Sequence, residues 1–156
     1  MRKAYFGFTV VLLISVLAQF YFATFGAFER PVPAAGAEGA MINYHAMNGT
    51  MVIPVLSLLT TIVAAIARAG GKQIGLAITP LLLVVVQLFG IFSLAEALGT
   101  TQDKTNTAGL IVLGFHALDG VALLGVAVLL VRGAHALMKG TATAAASARA
   151  RVAGSA

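Results

Sequence analysis

The sequence predicts an all-α protein, a four-transmembrane-helix bundle with up-down-up-down topology built from two repeated helical hairpins. Three observations carry that expectation. Four apolar runs are each long enough to cross a bilayer. Of the 156 residues, 60% are hydrophobic and only 10% charged. The basic residues fall almost entirely at one end of the runs. A soluble domain of this length could not hide so much apolar surface, and with a mean hydropathy of +0.98 the expected solvent is lipid.

The first run covers residues 4–28. It follows Met1-Arg2-Lys3, the charged start of a signal peptide. Its apolar stretch exceeds the about 7–15 residues of such a segment, so it is read as a retained helix. Residues 29–40, ERPVPAAGAEGA, are rich in Pro, Gly and Ala and read as a loop. The second run covers 41–67, and Pro54 is expected to kink it just after Asn48-Gly49. Residues 68–73, RAGGKQ, make a tight turn into the third run, 74–98. Pro80 is expected in the first turns of that helix, where proline is tolerated. The polar stretch 99–106 leads to the fourth run, 107–131. A hydrocarbon core of about 30 Å needs about 20 residues at about 1.5 Å each, and all four runs meet that length. The transmembrane domain is taken as 1–139. The low-complexity stretch 140–156, GTATAAASARARVAGSA, is expected to be a disordered cytoplasmic tail.

Orientation follows from the cations. Arg2, Lys3, Arg68, Lys72, Arg132, Lys139, Arg149 and Arg151 fall on one side, and only Arg30 and Lys104 on the other. That split predicts a multi-pass protein of the plasma (inner) membrane with both termini cytoplasmic. All five acids (Glu29, Glu38, Glu96, Asp103 and Asp119) lie towards the outer side. The net charge of +5 is therefore a topology signal and argues against nucleic acid as a partner. The expected partner is the bilayer, with the cytoplasmic cations against anionic headgroups; an oligomer is also compatible with the sequence. The chain has no cysteine, which excludes disulfides, thiolate metal sites and cysteine nucleophiles. It has no Gly-rich phosphate loop, nucleophile–base pair or carboxylate dyad, so a hydrolase is not expected.

Two segments match each other. VLAQFYF (16–22) is followed by HAMNG (45–49), and VVVQLFG (84–90) by HALDG (116–120). The shared pattern is a Gln on the outgoing helix and His-Ala-x-Asn/Asp-Gly on the returning one. His45 precedes Arg68 by 23 residues, and His116 precedes Lys139 by 23. At about 1.5 Å per residue both histidines lie about 34 Å from a cytoplasmic cation, so they share one depth. This requires the fourth helix to run on past Arg132, which would snorkel.

Polar groups inside a bilayer are costly and usually mark function. Here His45 pairs with Asn48 and His116 with Asp119, each at i, i+3 on one helix face. Gly49 and Gly120, at i+4, leave space beside each imidazole. In such a bundle the second and fourth helices lie on a diagonal, wide enough for a porphyrin with one imidazole on each face. The pattern thus points to haem b, with His45 and His116 as iron ligands. Asn48, Asp119, Gln19 and Gln87 would then orient those ligands, and Arg30 and Lys104 would meet the propionates. Two axial histidines leave no open iron position, so the expected role is one-electron transfer with a quinone or another membrane redox partner.

Plainer readings account for the same residues. Polar and small side chains also hold membrane helices together without a cofactor. That gives the alternative, an accessory or structural membrane protein packing against a larger membrane complex. Met41, Met47 and Met51 stand near His45 and suit Cu(I), although no Met stands near His116. Proton translocation through His116, Asp119 and Glu96 would want a polar trail, yet beyond Ser57, Thr60 and Thr61 the inner half is apolar. His135 reads as interfacial.

The stretch HAMNGTMVIPVLSLL, followed by VVVQLFG and HALDGVALLGVAVL, resembles an actinobacterial family of small four-helix membrane proteins that carries a domain-of-unknown-function label. The likeness covers most of residues 3–133 and omits the tail. It implies a four-helix inner-membrane protein and supplies no activity. It also implies that Asn can stand where this chain has Asp119, so that a shared role does not require the ionisable group. The pattern is similar, too, to small membrane cytochromes b with one axial His on each of two helices, an analogy of architecture.

Overall fold

A computed structural model of the chain describes all residues except Ala35, Gln102, Asp103 and 154–156, with side chains described as far as Gly140. It is helical throughout, with no strand among the described residues. Helix α1 spans Arg2–Phe28, α2 Ile42–Ile66 and α3 Gly71–Ala97. Helix α4 spans Thr107–Ala153, so it continues past Arg132 as the equal-depth argument requires. The expected disordered tail, residues 140–156, falls almost wholly on residues whose side chains lie outside the description, from 141 onwards.

All four helices are long and apolar enough to cross a membrane. Only 11–22% of the residues in their most apolar windows are buried inside the bundle. The other apolar side chains face outwards, as lipid allows and water does not. The architecture is that of a multi-pass integral membrane protein. Helix α1 packs on α2 and α4, and α3 packs on the same two. The four therefore close a ring in which α2 and α4 face each other across a diagonal.

The connections explain the helix limits. Gly70 at φ 87 and Arg68 at φ 52 reverse the chain in the α2–α3 turn. Because the break falls at Gly70, α3 begins at Gly71, three residues earlier than the hydropathy pattern indicates. At the α3–α4 connection Asn106 serves both helices. Its Oδ1 accepts the Gly109 N–H at 2.8 Å, and its Nδ2 donates to the Leu98 carbonyl at 2.7 Å. In the long first loop, Glu29 accepts the Met41 N–H at 2.7 Å and draws the loop ends together.

The interior at the end that holds Arg2 is packed with small residues. Ala64, Ala77, Ala127 and Ala134 are fully buried beside Leu12, Leu130 and Tyr5. In lipid, apolar burial drives helices together only weakly, so close approach and hydrogen bonds matter more. The Tyr5 hydroxyl donates to Gln73 Oε1 at 2.9 Å, linking α1 to α3.

Pro80 corrects an expectation. With α3 starting at Gly71, Pro80 sits well inside the helix and is buried. Proline there breaks the backbone ladder. The break is bridged from α2: the Leu81 N–H donates to Ser57 Oγ at 3.2 Å, and Ser57 Oγ donates to the Ala77 carbonyl at 2.7 Å. Thr60 and Thr61 donate to carbonyls of their own helix, so both hydroxyls are satisfied locally.

Two helices carry widened π turns, Asn48–Val52 in α2, just before Pro54, and Val86–Phe92 in α3. Such turns are frequent at functional sites. Both flank the same cavity.

Candidate cofactor-binding site

The cavity has a volume of about 470 Å³, within the usual range for small-molecule sites. It lies among all four helices in the half of the bundle away from Arg2. Gln19 on α1 and His45 and Gly49 on α2 line one side. Gln87 on α3 and His116, Asp119 and Gly120 on α4 line the other. Seven of the eight residues singled out from the sequence therefore meet in one space. The eighth, Asn48, is buried behind it. The His45 and His116 rings meet across the diagonal with centroids 5.8 Å apart and planes at 69°. The two rings thus stand at one level of the bundle.

On the α1–α2 side every polar group has a partner. Asn48 Nδ2 donates to the Ser15 carbonyl at 2.9 Å and to Gln19 Oε1 at 2.8 Å. Asn48 Oδ1 accepts from Ser15 Oγ at 2.9 Å. Because Gln19 Oε1 is taken, its amide nitrogen faces His45 Nε2, at 3.3 Å. His45 Nδ1 lies 3.0 Å from the Gln19 carbonyl. A carbonyl only accepts, so the Nδ1 proton points to it and Nε2 carries the lone pair. The arrangement admits one proton assignment from Ser15 through to His45.

On the α3–α4 side the matched groups are unpartnered. His116 Nδ1 is buried without a hydrogen bond. Among the described residues neither Gln87 nor Asp119 forms a hydrogen bond or ion pair. The Phe92 ring lies 5.3 Å from the His116 ring at 34°. Unpartnered polar groups in an apolar cavity carry a desolvation cost that a bound ligand would relieve.

The two glycines differ. A Cβ on Gly49 would come within 2.5 Å of Gln19 Nε2, so the clearing expected beside His45 is filled by that amide. A Cβ on Gly120 would stand 3.6 Å from the Phe20 ring, an ordinary contact.

Two features of these residues suit a metal-centred cofactor and one opposes it. The rings lie with centroids 5.8 Å apart, but both ring nitrogens of His45 are engaged by Gln19, so neither is free towards His116. The Nδ1–H of His45 on a carbonyl is the usual second contact of a metal-ligating histidine. The orphaned His116 nitrogen lies at the same cavity. Other donors do not join them. Met41, Met47 and Met51 are exposed at 37, 52 and 65%, which leaves the copper reading without its thioethers. Among the described residues no three His, Asp or Glu converge on a metal position. Arg30 is turned on to the carbonyls of Ala27 and Glu29, so its expected role beside propionates finds no support. At the opposite end of the bundle, His135 lies against Phe6.

Sequence reasoning missed Ser15, Phe20 and Phe92. Ser15 had a signal, since it precedes Gln19 by one helical turn and shares its face. The two phenylalanines had none among so many apolar residues.

Residues 19–93 match the model of a family of unknown function, DUF6220. The match covers just under half of the chain. It includes Gln19, His45, Asn48, Gly49 and Gln87 and ends before His116. No curated protein and no solved structure matches the chain.

Proposed function

We propose that this chain is a haem b protein of the plasma membrane, with both termini in the cytoplasm, that passes single electrons to or from a quinone or another membrane redox partner. The observation that carries the reading is the approach of His45 and His116 from diagonal helices across one apolar cavity. Haem b would supply a reversible one-electron change at its iron. His45 and His116 are the residues that would hold it. The Gln19 carbonyl fixes the tautomer of His45, and the Ser15–Asn48 pair fixes Gln19. The apolar lining excludes water.

The test is an absorbance spectrum of the detergent-purified protein, oxidised and then reduced with dithionite. The reading expects a Soret band and sharp α and β bands, with the six-coordinate pattern lost in His45→Ala and in His116→Ala. A flat spectrum after haem is supplied during expression would remove it.

One observation favours a second reading. Both ring nitrogens of His45 are engaged by Gln19, an arrangement that also serves to join α1 to α2 in a cofactor-free accessory protein of a larger membrane complex. That protein would be colourless.

A further inference from the structure

Asp119 is a carboxyl group inside a membrane-spanning helix with no charge to balance it. It lines the cavity from α4, and among the described residues it forms no hydrogen bond or ion pair. The other ionisable groups lining the cavity are His45 from α2 and His116 from α4; α1 and α3 bring only the amides of Gln19 and Gln87. Among the described residues no Lys or Arg lines it. Ionisable side chains inside spanning helices are costly, and where they persist they pair with one another or act as counter-ions to a ligand. Asp119 has no such pair within the chain.

Its neighbours set which counter-ion fits. Gln87 and His116 stand on the same side of the cavity and are unpartnered too, His116 through a buried Nδ1. A carboxylate only accepts hydrogen bonds, and an amide oxygen and an imidazole lone pair also accept. Three acceptors suit the three N–H donors of an ammonium group. A ligand whose polar atoms only accept, such as a ketone or an ester, offers Asp119 nothing. The rest of the lining is apolar and includes two aromatic rings. Phe92 lies 5.3 Å from the His116 ring, and Phe20 closes the clearing beside Gly120. Aromatic faces attract cations.

The way in is from the side. Helices α2 and α3 pack together over the half of the bundle that holds Arg2, but the segment Ile42–Val52 of α2 packs on α1 rather than on α3. Ala46 and Thr50 line the cavity from that segment and are exposed. A ligand that arrives there comes through lipid and needs an apolar body.

We infer that this cavity binds a lipid-soluble primary amine, its ammonium group on Asp119, Gln87 and His116 and its apolar body against Phe20 and Phe92. The inference stands apart from the haem reading: it leaves both His45 nitrogens on Gln19 and needs no metal. His116 serves one occupant at a time, so haem and amine exclude each other.

The experiment is equilibrium dialysis of the full chain in detergent micelles, purified without added haem, against radiolabelled 4-phenylbutylamine. Protein-free micelles give the blank. The comparison ligand is 4-phenylbutan-1-ol, which has the same body and no charge. The wild type should bind the amine saturably and the alcohol about tenfold more weakly or worse, the factor that a hydrogen bond to a charged group supplies. Asp119→Asn keeps the shape and removes the charge; it should weaken the amine by about tenfold or more and leave the alcohol unchanged. The comparison of amine with alcohol needs no variant, so it decides the matter even if Asp119→Asn fails to fold. Equal binding of the two ligands, no saturable binding of the amine, or full amine binding by Asp119→Asn would each overturn the inference. The absorbance spectrum of the same preparation keeps the two readings apart. Amine binding by a protein that shows no haem band, even after haem is supplied, removes the haem reading and keeps this one; a haem band in a protein that takes no amine does the reverse.

Discussion

Ser57→Ala tests how the bundle tolerates a buried proline. The Ser57 hydroxyl is fully buried and stands between the Leu81 N–H and the Ala77 carbonyl, at 3.2 and 2.7 Å. Its removal leaves both backbone groups without that bridge in an apolar setting. A buried group left unsatisfied costs about 1–3 kcal/mol in water-soluble proteins. Hydrogen bonds between membrane helices average about 0.6 kcal/mol, with a maximum of about 1.7. Two bonds then place the loss at about 1–3 kcal/mol. The partner experiment is Pro80→Ala, which returns an N–H to position 80 and lets α3 close its own ladder from Leu76 to Leu81. In that background Ser57→Ala should cost less than about 0.5 kcal/mol, the hydroxyl being redundant. The coupling across the cycle is then at least about 0.5 kcal/mol, a clear departure from additivity. The assay is reversible unfolding in mixed detergent micelles, followed by circular dichroism. Equal costs for Ser57→Ala in the two backgrounds would refute the claim that the serine completes a proline-broken helix.

Three further outcomes follow from the same geometry. Gly120→Ala should be neutral or stabilising by up to about 1 kcal/mol, because a methyl group fits there and alanine favours helix. Gly49→Ala should instead lose stability, by displacing Gln19 from Asn48 and His45, and should turn neutral or stabilising once Gln19→Ala removes the obstacle. Like effects of alanine at the two glycines in the wild-type background would contradict this. Histidine nitrogen-15 spectra of the haem-free protein should show His45 as a single tautomer protonated at Nδ1, held there by the Gln19 main-chain carbonyl. A mixture of tautomers at His45 in the wild type would count against that bond. Asn106→Ala removes the cap of α4 and a partner of the last turn of α3 together. It should cost about 1–2 kcal/mol in the same unfolding assay; no change would show that water replaces both contacts.

The fold was legible because hydropathy reports lipid contact directly. The long apolar runs needed no periodicity to be read as spans, and the helix ends went astray only where local backbone geometry decided them. Gly70 starts α3 early because a glycine at φ 87 can reverse the chain there, which hydropathy does not encode. Pro80 was misplaced for the same reason: its position in the helix depends on where the helix begins. Its bridge from Ser57 crosses to another helix, a contact that the sequence of α3 alone does not contain.

The site was legible in a different way. His45, Asn48, His116 and Asp119 stood out because ionisable and amide groups are rare in apolar runs, and their spacing placed them on shared faces and at one depth. Their partners were harder to read. A serine among apolar residues is ordinary, so its one-turn spacing from Gln19 is a weak signal beside the contacts that its carbonyl and hydroxyl make with Asn48. Once that contact is known, the sequence of the other half becomes informative. The presence of Leu83 where Ser15 stands, and of Asp119 where Asn48 stands, removes both the hydroxyl and the amide donors from around His116. A matched pattern of His and Gln therefore conceals two unlike environments, and the unlikeness lies in the residues one turn away from the ones that drew notice.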